Sequence, residues 1–148
     1  MNLTSTAFED QQAIPRQHSC DGADTAPPLD WSDVPSAATS LALLCWDPDA
    51  PGGTFWHWTV WDLDPGLSTL REGEVPENAR EGQNGFGTVG YRGPCPPPGH
   101  GVHHYHFELF ALSTSLELAA GTAPATVRAQ CEQHEVGRAE LVGTYERA

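Results

Sequence analysis

Val102-His-His-Tyr-His-Phe-Glu-Leu-Phe-Ala-Leu112 is the stretch that decides the fold. It is long and aromatic enough to be a strand, and it alternates. His103, Tyr105, Phe107, Leu109 and Ala111 share one face. Val102, His104, His106, Glu108, Phe110 and Leu112 share the other. Both faces turn apolar toward the C-terminal end, so the strand enters a core there. At its start both faces are polar and rich in histidine.

Two further runs extend it into a sheet. Leu41-Ala-Leu-Leu-Cys-Trp46 is almost continuously apolar and closes on Asp47-Pro48, as expected of a strand covered on both faces. His57-Trp-Thr-Val-Trp-Asp-Leu63 closes on Asp64-Pro65-Gly66, and a period of two puts His57, Thr59, Trp61 and Leu63 on one face. Fifteen glycines and thirteen prolines fall between such runs, which is the punctuation of a mainly β domain. Between Asp64 and Gly90 lies a long Gly-, Glu- and Asn-rich segment, with a short edge strand expected at Phe86 to Val89. One helix is expected, capped by Thr122, with Pro124 in its first turn, Val127, Cys131 and His134 on one side, and Gly137 at its end. The tail Ala139 to Tyr145 has strand-forming residues and is expected to return to the sheet.

The chain has 148 residues, enough for one domain spanning 1–148. Twenty acidic residues against seven basic ones give a formal charge of −13, and all seven are arginine. Nucleic acid and anionic membrane are poor partners for such a surface. An acidic, lysine-free shell suits a saline interior, where ionic strength screens self-repulsion, and equally an ordinary acidic protein from an arginine-favouring genome. Residues 1–10 show no basic start and no apolar core of a secretory signal, and no run is long enough to insert into a membrane. Cys20, Cys45, Cys95 and Cys131 are too scattered for a thiolate zinc site. Without an export signal, the expectation is reduced thiols in a cytoplasmic protein.

Three clusters carry the chemistry: Asp47-Pro-Asp-Ala-Pro51, Phe55-Trp-His-Trp58, and Gly93-Pro-Cys-Pro-Pro-Pro-Gly99 followed by His100-Gly-Val-His-His-Tyr-His106. The first holds two carboxylates on a proline-stiffened turn. The second sets a histidine among aromatics at a strand end. In the third, a proline run that cannot donate to a central ladder forms a rim, and a glycine hinge leads into the long strand. Together they resemble the phosphatidylethanolamine-binding protein family, including its prokaryotic Raf-kinase-inhibitor-like members. The family's D-P-D-x-P is matched by Asp47 to Pro51, its x-H-W by Trp56 to Trp58, and its glycine–tyrosine–proline pattern by Gly87 to Gly99 with Tyr91. Its G-x-H-R-Y is matched by Gly101, His103 and Tyr105. Cys20-Asp-Gly with Pro28, Leu29 and Trp31 resembles the family's opening segment, and Glu140 to Arg147 its prokaryotic tail.

The resemblance implies two antiparallel sheets with one or two short peripheral helices near the C-terminus. It also implies a small anion-binding cavity lined by Asp47, Asp49, His57, Pro97, His103 and Tyr105, with Phe55 and Tyr91 nearby. The ligand expected is phosphate, a phosphorylated headgroup or a carboxylate, with no cofactor. Histidines and a tyrosine supply donors, and Asp47 fixes a histidine tautomer. One departure stands out: His104 replaces the family's arginine, on the face away from His103 and Tyr105, so its effect is expected on a surface pair. No nucleophile elbow is present, so binding or inhibition is expected rather than turnover. Two alternatives remain: a metal held by His104, His106 and Glu108, which alternate onto one face, and a kinase- or protease-inhibiting surface on the 64–90 loop. Self-association as a homodimer is a further expectation.

Overall fold

A computed structural model describes all 148 residues. Eight strands and one helix follow in order: β1 (Asn2–Thr4), β2 (Leu29–Ser32), β3 (Ser40–Asp47), β4 (Phe55–Leu63), β5 (Thr69–Leu70), β6 (Arg80–Glu81), β7 (His103–Leu112), α1 (Pro124–His134) and β8 (Glu135–Tyr145). A 3-10 turn at Arg16–His18 precedes β2. The strands form two antiparallel sheets, one ordered β1-β2-β5 and the other β6-β4-β3-β7-β8. The mainly β, two-sheet expectation is met, with a single peripheral helix near the C-terminus.

The alternation of β7 explains the layering. Its odd face, with Leu41, Leu43 and Cys45 of β3, packs against Leu3, Leu29, Trp31 and Leu70 of the smaller sheet. Its even face, with Ala42 and Leu44, packs Phe110 and Leu112 under Val127 and Cys131 of α1. The central strand β3 is therefore apolar on both faces, as a strand covered by a sheet and a helix must be. Pairing of β3 with β7 is in register from Ser40–Leu112 to Trp46–His106, so Asp47 emerges beside the start of β7.

Strand β4 departs from simple alternation, and the departure matters. Its register against β3 slips between Cys45 and Trp46, where Cys45 pairs with Trp58 and Trp46 with Trp56. His57 is the extra residue of this bulge. Trp58 and Val60 join the core between the sheets, whereas Trp61 joins the helix-side core. His57 consequently faces the same side as Trp58, not the side of Thr59 and Trp61. A second irregularity at Asp62, whose φ is 57°, returns Leu63 to the inter-sheet core. The uniform period over His57–Leu63 fails because each bulge reverses the parity beyond it.

Other boundaries also shift. The edge strand of the long loop is Arg80–Glu81, paired with β4. Phe86 lies instead in a turn whose Asn84 Oδ1 accepts the amides of Phe86 and Thr88, while Val89 makes an isolated bridge to Gln83. Thr122 bonds the Ala119 carbonyl and does not cap α1, which begins after Ala123. Gly137 lies inside β8, where a side chain would collide with Pro35 and Met1. The expectation of uniformly reduced cysteines is corrected: Cys20 and Cys95 form a disulfide across 75 positions, and only Cys45 and Cys131 are free, both buried. Sequence distance hid this proximity. The two segments meet because Tyr91 donates to the His18 carbonyl at 2.6 Å, Cys20 N–H donates to the Pro94 carbonyl, and Gly93 lies where any Cβ would overlap the His18 carbonyl.

Candidate functional site

The start of β7, the end of β3 and the start of β4 surround a cavity of roughly 190 Å³. Asp47, His57, His103 and Tyr105 form its polar floor. Phe55, Phe86, Ala50 and Pro51 form one apolar wall, and the Cys95-Pro96-Pro97 run forms the other. Each element presents its side chain for a local reason. Strand β7 alternates, so His103 and Tyr105 look the same way. The β4 bulge swings His57 toward them, ring centroids 5.2 Å from Tyr105 and edge-on. Asn84 ties the turn that leans Phe86 against Phe55 at 4.9 Å. Prolines suit the outer wall because nothing there needs an amide donor.

The protonation pattern of the floor follows from its hydrogen bonds. His57 Nδ1 sits 2.6 Å from the Arg92 carbonyl, an acceptor only, so Nδ1 carries a proton. Nε2 has no partner in the chain and is left to whatever occupies the cavity. Burial pushes the His57 pKa down, opposed in part by the Arg92 carbonyl and by Asp47. His103 is engaged at both nitrogens, by Asp47 Oδ2 at 2.7 Å and by His100 Nδ1 at 2.7 Å. The other Asp47 oxygen accepts the Asp49 amide at 2.7 Å, which folds the Asp47–Pro51 turn back on itself. Burial, then the Asp47 carboxylate, keeps the Tyr105 hydroxyl firmly protonated and therefore a donor.

Of the residues expected in the cavity, Asp47, Phe55, His57, Pro97, His103 and Tyr105 come together there. Two do not. Asp49 turns outward, where its Oδ2 accepts both the amide and the ring Nδ1 of His104 at 2.8 Å. Tyr91 lies behind the wall, edge-on to Trp58, its hydroxyl spent on the N-terminal segment. His104 thus makes the outward surface pair expected of the substituted position. Phe86 and His100 were not anticipated. Phe86 sat inside a loop with no period to read, and His100 in a motif read only as a hinge.

The rival metal face does not assemble. His104 is paired with Asp49, and His106 lies 3.2 Å from Glu140 while stacking on Trp46 at 4.4 Å. Glu108 is buried under Arg128, Arg138 and the Trp46 indole N–H. No three His, Cys, Asp or Glu side chains converge as a metal site would require. Both Glu108 oxygens are already engaged by cationic or indole donors, which opposes a metal there.

The model of the phosphatidylethanolamine-binding protein family matches residues 4–146. The chain belongs to that family. A UPF0098 protein of Methanothermobacter thermautotrophicus is 45% identical over 152 residues, covering 99% of each chain. The crystal structure of Escherichia coli YbcL, described as a new member of the mammalian family, superposes with a TM-score of 0.94 at 32% identity, over 99% of this chain and 98% of that one. A family homologue from Chlamydia trachomatis, CT736, gives a TM-score of 0.92 at 39% identity over 99% and 97%. Membership of this family supports a ligand-binding or regulatory role. No helix here is long and apolar enough to cross a membrane. The Cys20–Cys95 disulfide removes the reduced-thiol support from the cytoplasmic expectation.

Proposed function

We propose that this member of the phosphatidylethanolamine-binding protein family is a non-enzymatic module that binds a small anion in the β3–β4–β7 cavity. The anion is a phosphate group, free or on a headgroup, or a carboxylate. The observation that carries the reading is the unpartnered Nε2 of buried His57, facing the same cavity as the protonated Tyr105 hydroxyl. Once Nε2 takes a proton, His57 becomes a charged donor there, with Asp47 near enough to stabilise it. A cavity of this size takes one such group, and its apolar walls strengthen each hydrogen bond by excluding water. The only sulfur in the wall, that of Cys95, is held in a disulfide and supplies no thiolate nucleophile.

The net charge of −13 opposes entry of an anion from a distance, so salt should speed association while the shielded site keeps its hydrogen bonds. Titration calorimetry with sulfate, whose charge stays constant over the range, tests the reading. Affinity is expected to be higher near about pH 5.5 than near about pH 8, because burial makes His57 charge only on the acid side. Equal affinity at both would remove histidine charge from the account.

A further inference from the structure

His100 belongs to no strand, lines no wall of the cavity and is exposed to solvent. Yet its Nδ1 lies 2.7 Å from His103 Nε2, with ring centroids 4.9 Å apart. Asp47 already holds the other His103 nitrogen. In either tautomer the His100 contact therefore uses up the last hydrogen-bonding position of a buried, cavity-lining ring.

The surroundings of His100 leave it free to move. It lies between Gly99 and Gly101, at φ of 77° and 93°, and a Cβ on either would meet nothing within 4 Å. Its own amide is fixed to the Pro97 carbonyl and that of Gly99 to the Arg147 carbonyl, so the backbone is held in place while the residue is exposed to solvent. An exposed imidazole held by one hydrogen bond to a buried one is easily exchanged for a ligand atom that bonds better.

We propose that His100 is a displaceable internal cover of the anion site. In the ligand-free protein it occupies His103 Nε2. An entering anion displaces the His100 ring into solvent, and His103, with a proton taken from solvent on Nε2 while Nδ1–H stays on Asp47, becomes a second donor beside His57. This rests on the anion-site reading above. The cover lowers affinity for an anion that opens it by the strength of the contact given up. It also selects: a ligand too small to reach from His57 to His103 leaves the cover shut.

Two measurements on wild type, His100→Ala and His100→Asn test it. The first is sulfate affinity by calorimetry. The second is the rate at which diethyl pyrocarbonate acylates His103, followed by peptide mass spectrometry in the absence of any anion. His100→Ala is expected to bind sulfate about three- to tenfold more tightly, as loss of one competing hydrogen bond implies, and to expose His103 to the reagent severalfold faster. His100→Asn keeps a donor near the Nδ1 position and should behave as wild type in both. Sulfate bound by wild type but no more tightly by His100→Ala, or a His103 rate unchanged by that substitution, overturns the cover and leaves the anion site standing. Sulfate bound by neither protein, with faster modification in His100→Ala, keeps the cover and fails the anion site instead.

Discussion

Two buried carboxylates on opposite faces of the larger sheet, Asp47 and Glu108, are satisfied in opposite ways. Glu108 accepts from two guanidinium groups and an indole, all fixed donors, and the space around it is filled by α1 and the Phe110 ring. Asp47 accepts from one amide and one titratable ring, beside a void. The first arrangement can only hold a helix against a sheet. The second leaves open space beside its partners for a ligand. A carboxylate partnered by arginine reads as structure; one partnered by histidine next to a cavity reads as a site.

The contrast can be broken at several points. The largest effect is expected from the covalent clamp on the cavity side. Cys20→Ser with Cys95→Ser should lower unfolding free energy by about 2–4 kcal/mol, since it frees a long loop in the unfolded chain. It should also weaken sulfate binding, because Cys95 is part of the cavity wall. Chemical denaturation and calorimetry on the same sample check both.

On the helix side, Glu108→Ala should cost about 2–3 kcal/mol in urea unfolding, below the full value for a buried pair because both arginines are partly exposed. Sulfate affinity should stay within about twofold, as expected of a group that only packs. A large loss of affinity would show that the two faces are coupled.

His57→Ala should weaken sulfate binding about tenfold or more near about pH 5.5, the strength of one charged hydrogen bond. It should also change the pH dependence of stability. Burial depresses the folded pKa of His57 below its ordinary 6.5, so the unfolded chain takes up the proton first and wild type loses stability as pH falls below that value. The variant should lack this decline, and sulfate should offset it in wild type. Melting temperatures from about pH 8 to 5, with and without sulfate, read all three.

The smallest effect is expected at the outward pair. His104→Ala should change stability by less than about 0.5 kcal/mol, since both His104 and Asp49 are substantially exposed. Sulfate affinity should not move. A marked change would bring Asp49 back to the cavity.

The parts of this molecule that announce themselves in the sequence are those whose pattern is set by burial. Strands β3 and β7 carry long apolar runs, the helix was read from Pro124 and the Val127–Cys131 side, and the convergence of Asp47, His57, His103 and Tyr105 was implied by the family resemblance of their motifs. Strands β1, β2, β5 and β6 are two to four residues each and exist by virtue of the neighbour they pair with. No local pattern that short separates a strand from a loop. The bulge at His57 was invisible for another reason: one extra residue changes which face a side chain takes without changing composition. Asp49 was misplaced because the motif containing it passes by the cavity, and a motif gives nearness along the chain rather than the direction of a side chain.

The Cys20–Cys95 bond also makes the molecule a closed loop with two tails. Asp47, His57 and Phe86 lie within the loop, while His103 and Tyr105 lie on the C-terminal tail a few residues past its closure. With no lysine present, trypsin can cut only after arginine, and Arg71, Arg80 and Arg92 all fall inside the loop. A single cut at any of them separates nothing: both pieces travel together until a reductant is added, with the binding groups still joined through sulfur.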